Sequence, residues 1–246
     1  MAVFLVVITA FYFVGLFDRE RLKEGIPSIF VLLLESWPPE FKNFQDWIKP
    51  LFDTLGMSIA GTAIAVALSL PLAFLAAKNI TPHPIIYQIT RTILNILRSV
   101  PELILGIIFV AAVGFGALPG VLALGLHSIG MVAKFFGESI EHVSNEPIEA
   151  VRASGARSLQ VIFHGVIPQV LPQMADITIY RWEYNFRAST VMGMVGAGGI
   201  GHELISSLRL MMYREVSALL IVILIMVTIV DGCGVFLRMK FWRFSR

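Results

Sequence analysis

The sequence predicts an all-α polytopic membrane protein of about six spans, one transmembrane domain over residues 1–246. Three observations carry that prediction. Only 15% of the residues are charged, against about 25% in soluble domains, too few to cover a soluble surface. Mean hydropathy is +0.79. The apolar residues also gather into runs near the ~20 residues that a helix needs to cross a bilayer. A net charge of +2 is too small and too dispersed for nucleic acid, and the single cysteine, Cys233, precludes an intrachain disulfide or a multi-cysteine metal site.

The runs follow in order. "MAVFLVVITAFYFVGLF" (1–17) is slightly short; without a basic leader or a small-x-small cleavage site it is expected to be a retained span rather than a signal peptide. A second run covers 54–77, closed by Lys78, Pro82 and Pro84. The third extends from Ile85 to about Val113, and the fourth from Leu118 to about Val143. The fifth lies near 170–194 and the last at 216–237. In the second run Gly61, Ala65, Ser69, Ala73 and Ala77 form a four-residue ladder of small side chains, the pattern of a helix that packs closely in lipid.

Charge sets the expected orientation. The tail "RMKFWRFSR" holds four basic residues, no acid and an interfacial Trp242, which places it in the cytoplasm. Six spans then put both termini inside. Segment 18–50, whose five Lys/Arg are offset by six Asp/Glu, falls outside. Loop 78–84 and the connector 144–172 face the cytoplasm, and roughly 195–215 faces outward.

"VGAGGIG" (195–201) carries the spacing Gly196-x-Gly198-x-x-Gly201 of a dinucleotide-binding turn. That turn needs a preceding strand and an acid about 20 residues later. Here the residues at that distance are "LLIVILIM", and the next acid, Asp231, lies in a membrane run. Gly196, Gly198 and Gly199 read instead as a tight break between a span and a short outer helix, at the mouth or gate of a path. "HELIS" (202–206) begins like a zinc-protease helix, but Ser206 stands where the second histidine belongs.

The connector "EPIEAVRASGARSLQVIFHGVIPQVLP" (146–172) predicts a short helix started at Pro147 and closed by Gly155, then a second helix running to Pro168 and Pro172, which turn the chain back into the membrane. Its order of Glu149-Ala150, Gly155-Ala156, Pro168 and Pro172 resembles the EAA loop of ABC importer permeases. Val151 stands in place of an alanine of that motif, and Ser154 where many members have aspartate. The resemblance implies the type I importer permease fold and a coupling helix that docks on a separate ATPase subunit. Glu149, Ala150, Gly155 and Ala156 would form the docking core, with Arg152 and Arg157 at its rim. The chain has no G-x-x-x-x-G-K-[ST] loop, so ATP and Mg²⁺ are expected on that partner and no cofactor on this chain.

The fifth run, "DITIYRWEYNFRASTVMGMV", is charged. At about 100° per residue Asp176, Tyr180, Glu183 and Arg187 share one stripe, while Arg181 points elsewhere, toward the inner interface. Charges at membrane depth are costly unless paired or wet. Either Glu183 and Arg187 pair at i,i+4, or the stripe lines the path of an anionic solute, with Arg187 or Arg181 supplying charge. "YRWEYNFRASTVMGMVGAGGIG" (180–201), "RSVPELILGIIFV" (98–110) and "HSIGMVAKFFGESIE" (127–141) are similar to phosphonate and phosphite importer permeases, with the glycine loop shared by methionine-type ones. The similarity implies a homodimer in the bacterial inner membrane, two ATPase subunits and an extracytoplasmic binding protein. His127 reads as a hydrogen-bonded interior histidine, and Lys134 and Glu138 as an intrahelical pair. An ion-coupled secondary transporter or an intramembrane enzyme would leave the EAA-like connector unexplained.

Overall fold

The computed structural model of the chain describes residues 1–15 and 18–244, with side chains through Phe241. Leu16 and Phe17 of the first run, and the side chains of Trp242, Arg243 and Arg246 in the basic tail, lie outside the described residues. Helices dominate: α1 (Ala2–Phe13), α2 (Arg19–Glu35), α3 (Phe44–Ala76), α4 (Pro84–Ser99), α5 (Glu102–Val113), α6 (Ala117–Glu141), α7 (Asn145–Ala153), α8 (Ser158–Val161), α9 (Ile167–Met192), α10 (Ile200–Arg209) and α11 (Tyr213–Phe244). No strand occurs among the described residues. By length and composition α3, α6 and α11 suffice to cross a membrane, and the bent pair α4–α5 passes the same test when its two helices are counted together. The 26-residue α9 is long enough but charged.

Within the first run the described residues form helix α1, 12 residues long, about 18 Å of rise. Segment 18–50 is largely helical rather than a plain outer segment, with α2 opened by the Asp18 carboxylate, which accepts from the Arg21 amide at 3.3 Å. Neither α1 nor α2 buries a residue. The third run is not straight, because α4 and α5 meet at 82°. A residue before proline is driven from helical to extended backbone, and Val100, at φ −85° and ψ 119° before Pro101, obeys.

The body is built on α3 and α6, which run side by side in the same direction. The expected small ladder is what joins them: Ala65, Ser69 and Ala73 are buried, and a Cβ on Gly61 would come 3.1 Å from the Leu124 Cβ. Ser69 Oγ donates across the seam to Ile129 O at 3.3 Å. Helix α9 packs on both, and α11 packs on α9. Lys134 and Glu138 do approach, at 3.6 Å, and Arg91 joins them to Glu141 at 3.0 Å.

This winding gives the bundle two ends. At one lie the starts of α3, α6 and α11 with the glycine loop and α10, tied by the Glu40 amide to Arg214 O (3.0 Å) and Asn43 Nδ2 to Glu215 Oε1 (3.0 Å). Beside them the bond and charge of Lys42 hold the Glu40 carboxyl below the usual carboxylate range. At the other end lie loop 77–83, α7, α8 and the end of α11.

Candidate translocation and coupling sites

At the second end, α7 closes as its sequence requires. Gly155 takes φ +82°, and its amide donates to Arg152 O at 3.0 Å. The helix that follows does not end at the prolines. Backbone helix continues from Ser158 through a π-turn, Ile162–Val166, into α9, with Pro168 in its first turn and Pro172 inside. The wider turn, closed by Ile167 N to Ile162 O, absorbs the missing proline amides.

Two devices fasten α7 to the membrane body. Gln169 accepts from the Ser144 amide (3.0 Å) and donates to Gly165 O (2.6 Å). Ile148 enters a buried cluster with Val132, Phe136, Ile140 and Val170. The remaining faces are open: Glu149, Ala150, Arg152 and Gly155 are exposed and Ala156 half-buried, while Leu159 and Phe163 stand out as large exposed apolar side chains. Among the described residues Glu149 and Arg152 form no ion pair.

The charged stripe of α9 is paired, but not within α9. Arg238 of α11 bonds Glu183 and lies 3.9 Å from Asp176, and Arg187 Nη1 donates to Asp231 Oδ1 at 2.8 Å. The i,i+4 pair expected between Glu183 and Arg187 is therefore replaced by two bridges to α11. Gly234 permits this, since a Cβ there would overlap the Glu183 carboxylate. Asp231, Gly234 and Arg238, spaced i, i+3 and i+7, are the signal in the sequence that marks this face. Tyr180 stays 51% exposed.

Arg181 does not reach toward the inner interface. It is 2% exposed, inside the bundle. Its Nε donates to Ser128 Oγ (2.8 Å), Ser128 donates to Asn185 Oδ1 (3.1 Å), and Asn185 Nδ2 donates to Thr62 Oγ1 (2.9 Å). Its guanidinium lies 4.3 Å from the centre of the Tyr184 ring. Tyr184 donates to Glu102 Oε1 (2.8 Å), whose other oxygen is 3.4 Å from His127 Nε2. His127 Nδ1 meets Val100 O at 3.1 Å; a carbonyl only accepts, so Nδ1 carries the hydrogen. His127 is thus the hydrogen-bonded interior histidine expected. The cluster sits at the α4–α5 break, and Glu102, Ser128, Tyr184 and Asn185 were not singled out by the sequence. The i,i+4 pair Arg181 and Asn185 was its visible trace.

The glycine loop seals the other end. Gly196, Gly198 and Gly199 all have positive φ (+96°, +72° and +73°), where only glycine is unstrained. Thr54 of α3 accepts the Ile200 amide at 2.9 Å, and Gly116 N donates to Gly196 O at 3.2 Å. The break expected from the sequence is present, and it locks α3, α6 and α9 together.

Comparison with known proteins agrees with this architecture. The family described as binding-protein-dependent transport system inner membrane component matches residues 69–238. The phosphite transport system permease protein PtxC of Stutzerimonas stutzeri is 64% identical, over 97% of this chain and 87% of that one. The phosphate-import permease protein PhnE of Mycolicibacterium smegmatis is 39% identical over 90% of this chain and 42% of its own length. Among solved structures, an inward-facing form of the MetNI methionine ABC transporter superposes with a TM-score of 0.69 at 21% identity, covering 79% of this chain and 95% of that one. The match spans more than half the chain and includes the coupling segment, the charged α9 and the glycine loop: this protein belongs to the family of inner-membrane components of binding-protein-dependent transport systems.

Proposed function

We propose that this chain is the permease of an ATP-driven importer for phosphite or a closely related phosphorus oxyanion, and that it works as a homodimer. The observation that carries the cargo is 64% identity along 97% of the chain to a phosphite permease. The coupling end faces the cytoplasm, as do both termini, and the glycine-loop end faces the binding protein. Two ATPase subunits hold the ATP and Mg²⁺; this chain supplies the path and the mechanical link rather than catalysis.

The link follows from the fastening of α7. Glu149, Ala150, Arg152, Gly155 and Ala156 meet the ATPase, with Leu159 and Phe163 as its apolar rim. Because Ile148 belongs to the same buried cluster as Phe136 and Ile140 of α6, and Gln169 ties Ser144 to α9, a displacement of α7 is passed to both helices. Closure of the ATPase pair thereby becomes a change in the packing around α9, whose Tyr180 and Arg187 border the path.

The test is reconstitution of this chain with its ATPase and binding protein in liposomes. ATP-dependent uptake of phosphite that methionine does not inhibit is the expected result. Uptake of methionine in its place, or uptake driven by a proton gradient without ATP, would refute the proposal.

A further inference from the structure

The guanidinium of Arg181 is the most unusual polar group in the molecule. Nη1 and Nη2 are buried and find no hydrogen-bond partner among the described residues, although the residue is 2% exposed. An arginine beside a carboxylate ordinarily grips it with both arms. Glu102 belongs to the same cluster, yet one of its oxygens accepts from Tyr184 and the other lies 3.4 Å from His127 Nε2. Arg181 uses only Nε, on Ser128. The fork that fits two oxygens of a tetrahedral anion is thus left free, in surroundings where a charge without a partner is costly.

The position of the cluster adds a second argument. Helix α5 begins at Glu102, so its positive end lies in the cluster, and irregular backbone at membrane depth is tolerated where it borders a path. An open groove of about 590 Å³, lined by Phe135, Gln173, Ile177 and Tyr180 among others, rises from the coupling end. Tyr180, on the wall of that groove, is one helical turn below Tyr184, whose half-buried ring lies against the guanidinium at 4.3 Å.

The geometry points to a transit site for the cargo inside the permease, in which Arg181 binds two oxygens of a phosphorus oxyanion once the Tyr184 ring turns aside. This rests on the cargo proposed above and gives it a place within the membrane. Glu102 is part of the design. A carboxylate near a single cation keeps the anion's hold weak, and conduction requires a site that releases as well as binds.

The experiment compares the full complex carrying wild-type chain, Arg181→Met or Arg181→Lys. Replacing a buried unpaired charge by an apolar chain of similar length leaves folding intact or improves it, so Arg181→Met is expected to assemble with its ATPase. Phosphite uptake should fall by about 100-fold in Arg181→Met and by about tenfold in Arg181→Lys, which keeps the charge and loses the fork. Calorimetry on the permease–ATPase complex without binding protein should detect phosphite binding to wild type and none to Arg181→Met. Wild-type uptake and binding in an assembled Arg181→Met complex would overturn the inference alone. Should that variant not assemble, Arg181→Lys decides: undiminished uptake overturns the site. A wild-type complex that neither imports nor binds phosphite overturns the cargo and this site together.

Discussion

The four charges on α9 illustrate how position in the bundle sets the role of a residue. Glu183 is 7% exposed at its side chain and carries the bond to Arg238, whereas Arg187 and Asp231 are each 45% exposed. Removing Glu183 leaves the partly buried Arg238 with only Asp176 at 3.9 Å, a loss of about 2 kcal/mol, while an exposed pair contributes under ~1 kcal/mol. Glu183→Ala should therefore lower the thermal midpoint of the purified protein markedly, and Glu183→Ala with Arg238→Met should recover most of the loss. Arg187→Ala should leave the midpoint nearly unchanged while reducing uptake in assembled complex. A large fall in stability for Arg187→Ala would make it a structural residue rather than a border of the path. The sequence displayed the charges and the stripe that Asp176, Glu183 and Arg187 share; it offered no basis for choosing α11 as the partner, because helix–helix neighbours arise from the packing of the whole bundle.

Among the elements, the coupling segment was the most legible. A helix closed by a left-handed glycine is a local matter, and Gly155 behaves accordingly. Gly155→Val forces a branched residue into that region at about 1–3 kcal/mol. It should weaken ATPase docking and lower uptake more than ATP hydrolysis, measured as transported solute per ATP. An unchanged ratio would mean that α7 does not transmit motion. The prolines after it were less legible: Pro168 and Pro172 promised a turn, and the π-turn before them let the helix run on. Conversely Pro101 was read inside a single run and proved to be its corner, where the pre-proline rule outweighs the apolar run on either side. The cluster around Arg181 is built at that corner.

For the whole molecule, the two ends and the proposed pairing matter most. The coupling segment and the glycine loop lie at opposite ends of α9, so they should face opposite sides of the membrane. Ser154→Cys, exposed beyond α7, should react with a membrane-impermeant maleimide in inside-out vesicles and be protected in right-side-out ones, in a background where Cys233 is replaced by serine. Light scattering of the purified complex should count two copies of this chain. Labelling from the outside would invert the proposed orientation, and a single copy would leave the path without its second wall.

What the sequence determined by itself was whatever short-range physics decides. Apolar runs demanded helices in lipid, small residues at every fourth position demanded a close seam, and glycines with no tolerable substitute demanded sharp breaks. The resemblance of one connector then pointed to the family. Tertiary structure alone decided which charges pair, that the third run bends at Pro101, and that Arg181 turns inward. The reason is that burial and partnership of a polar side chain depend on groups far along the chain. Thr62, Glu102, Ser128, Arg181 and Asn185 come from four different helices and meet only once the bundle is packed.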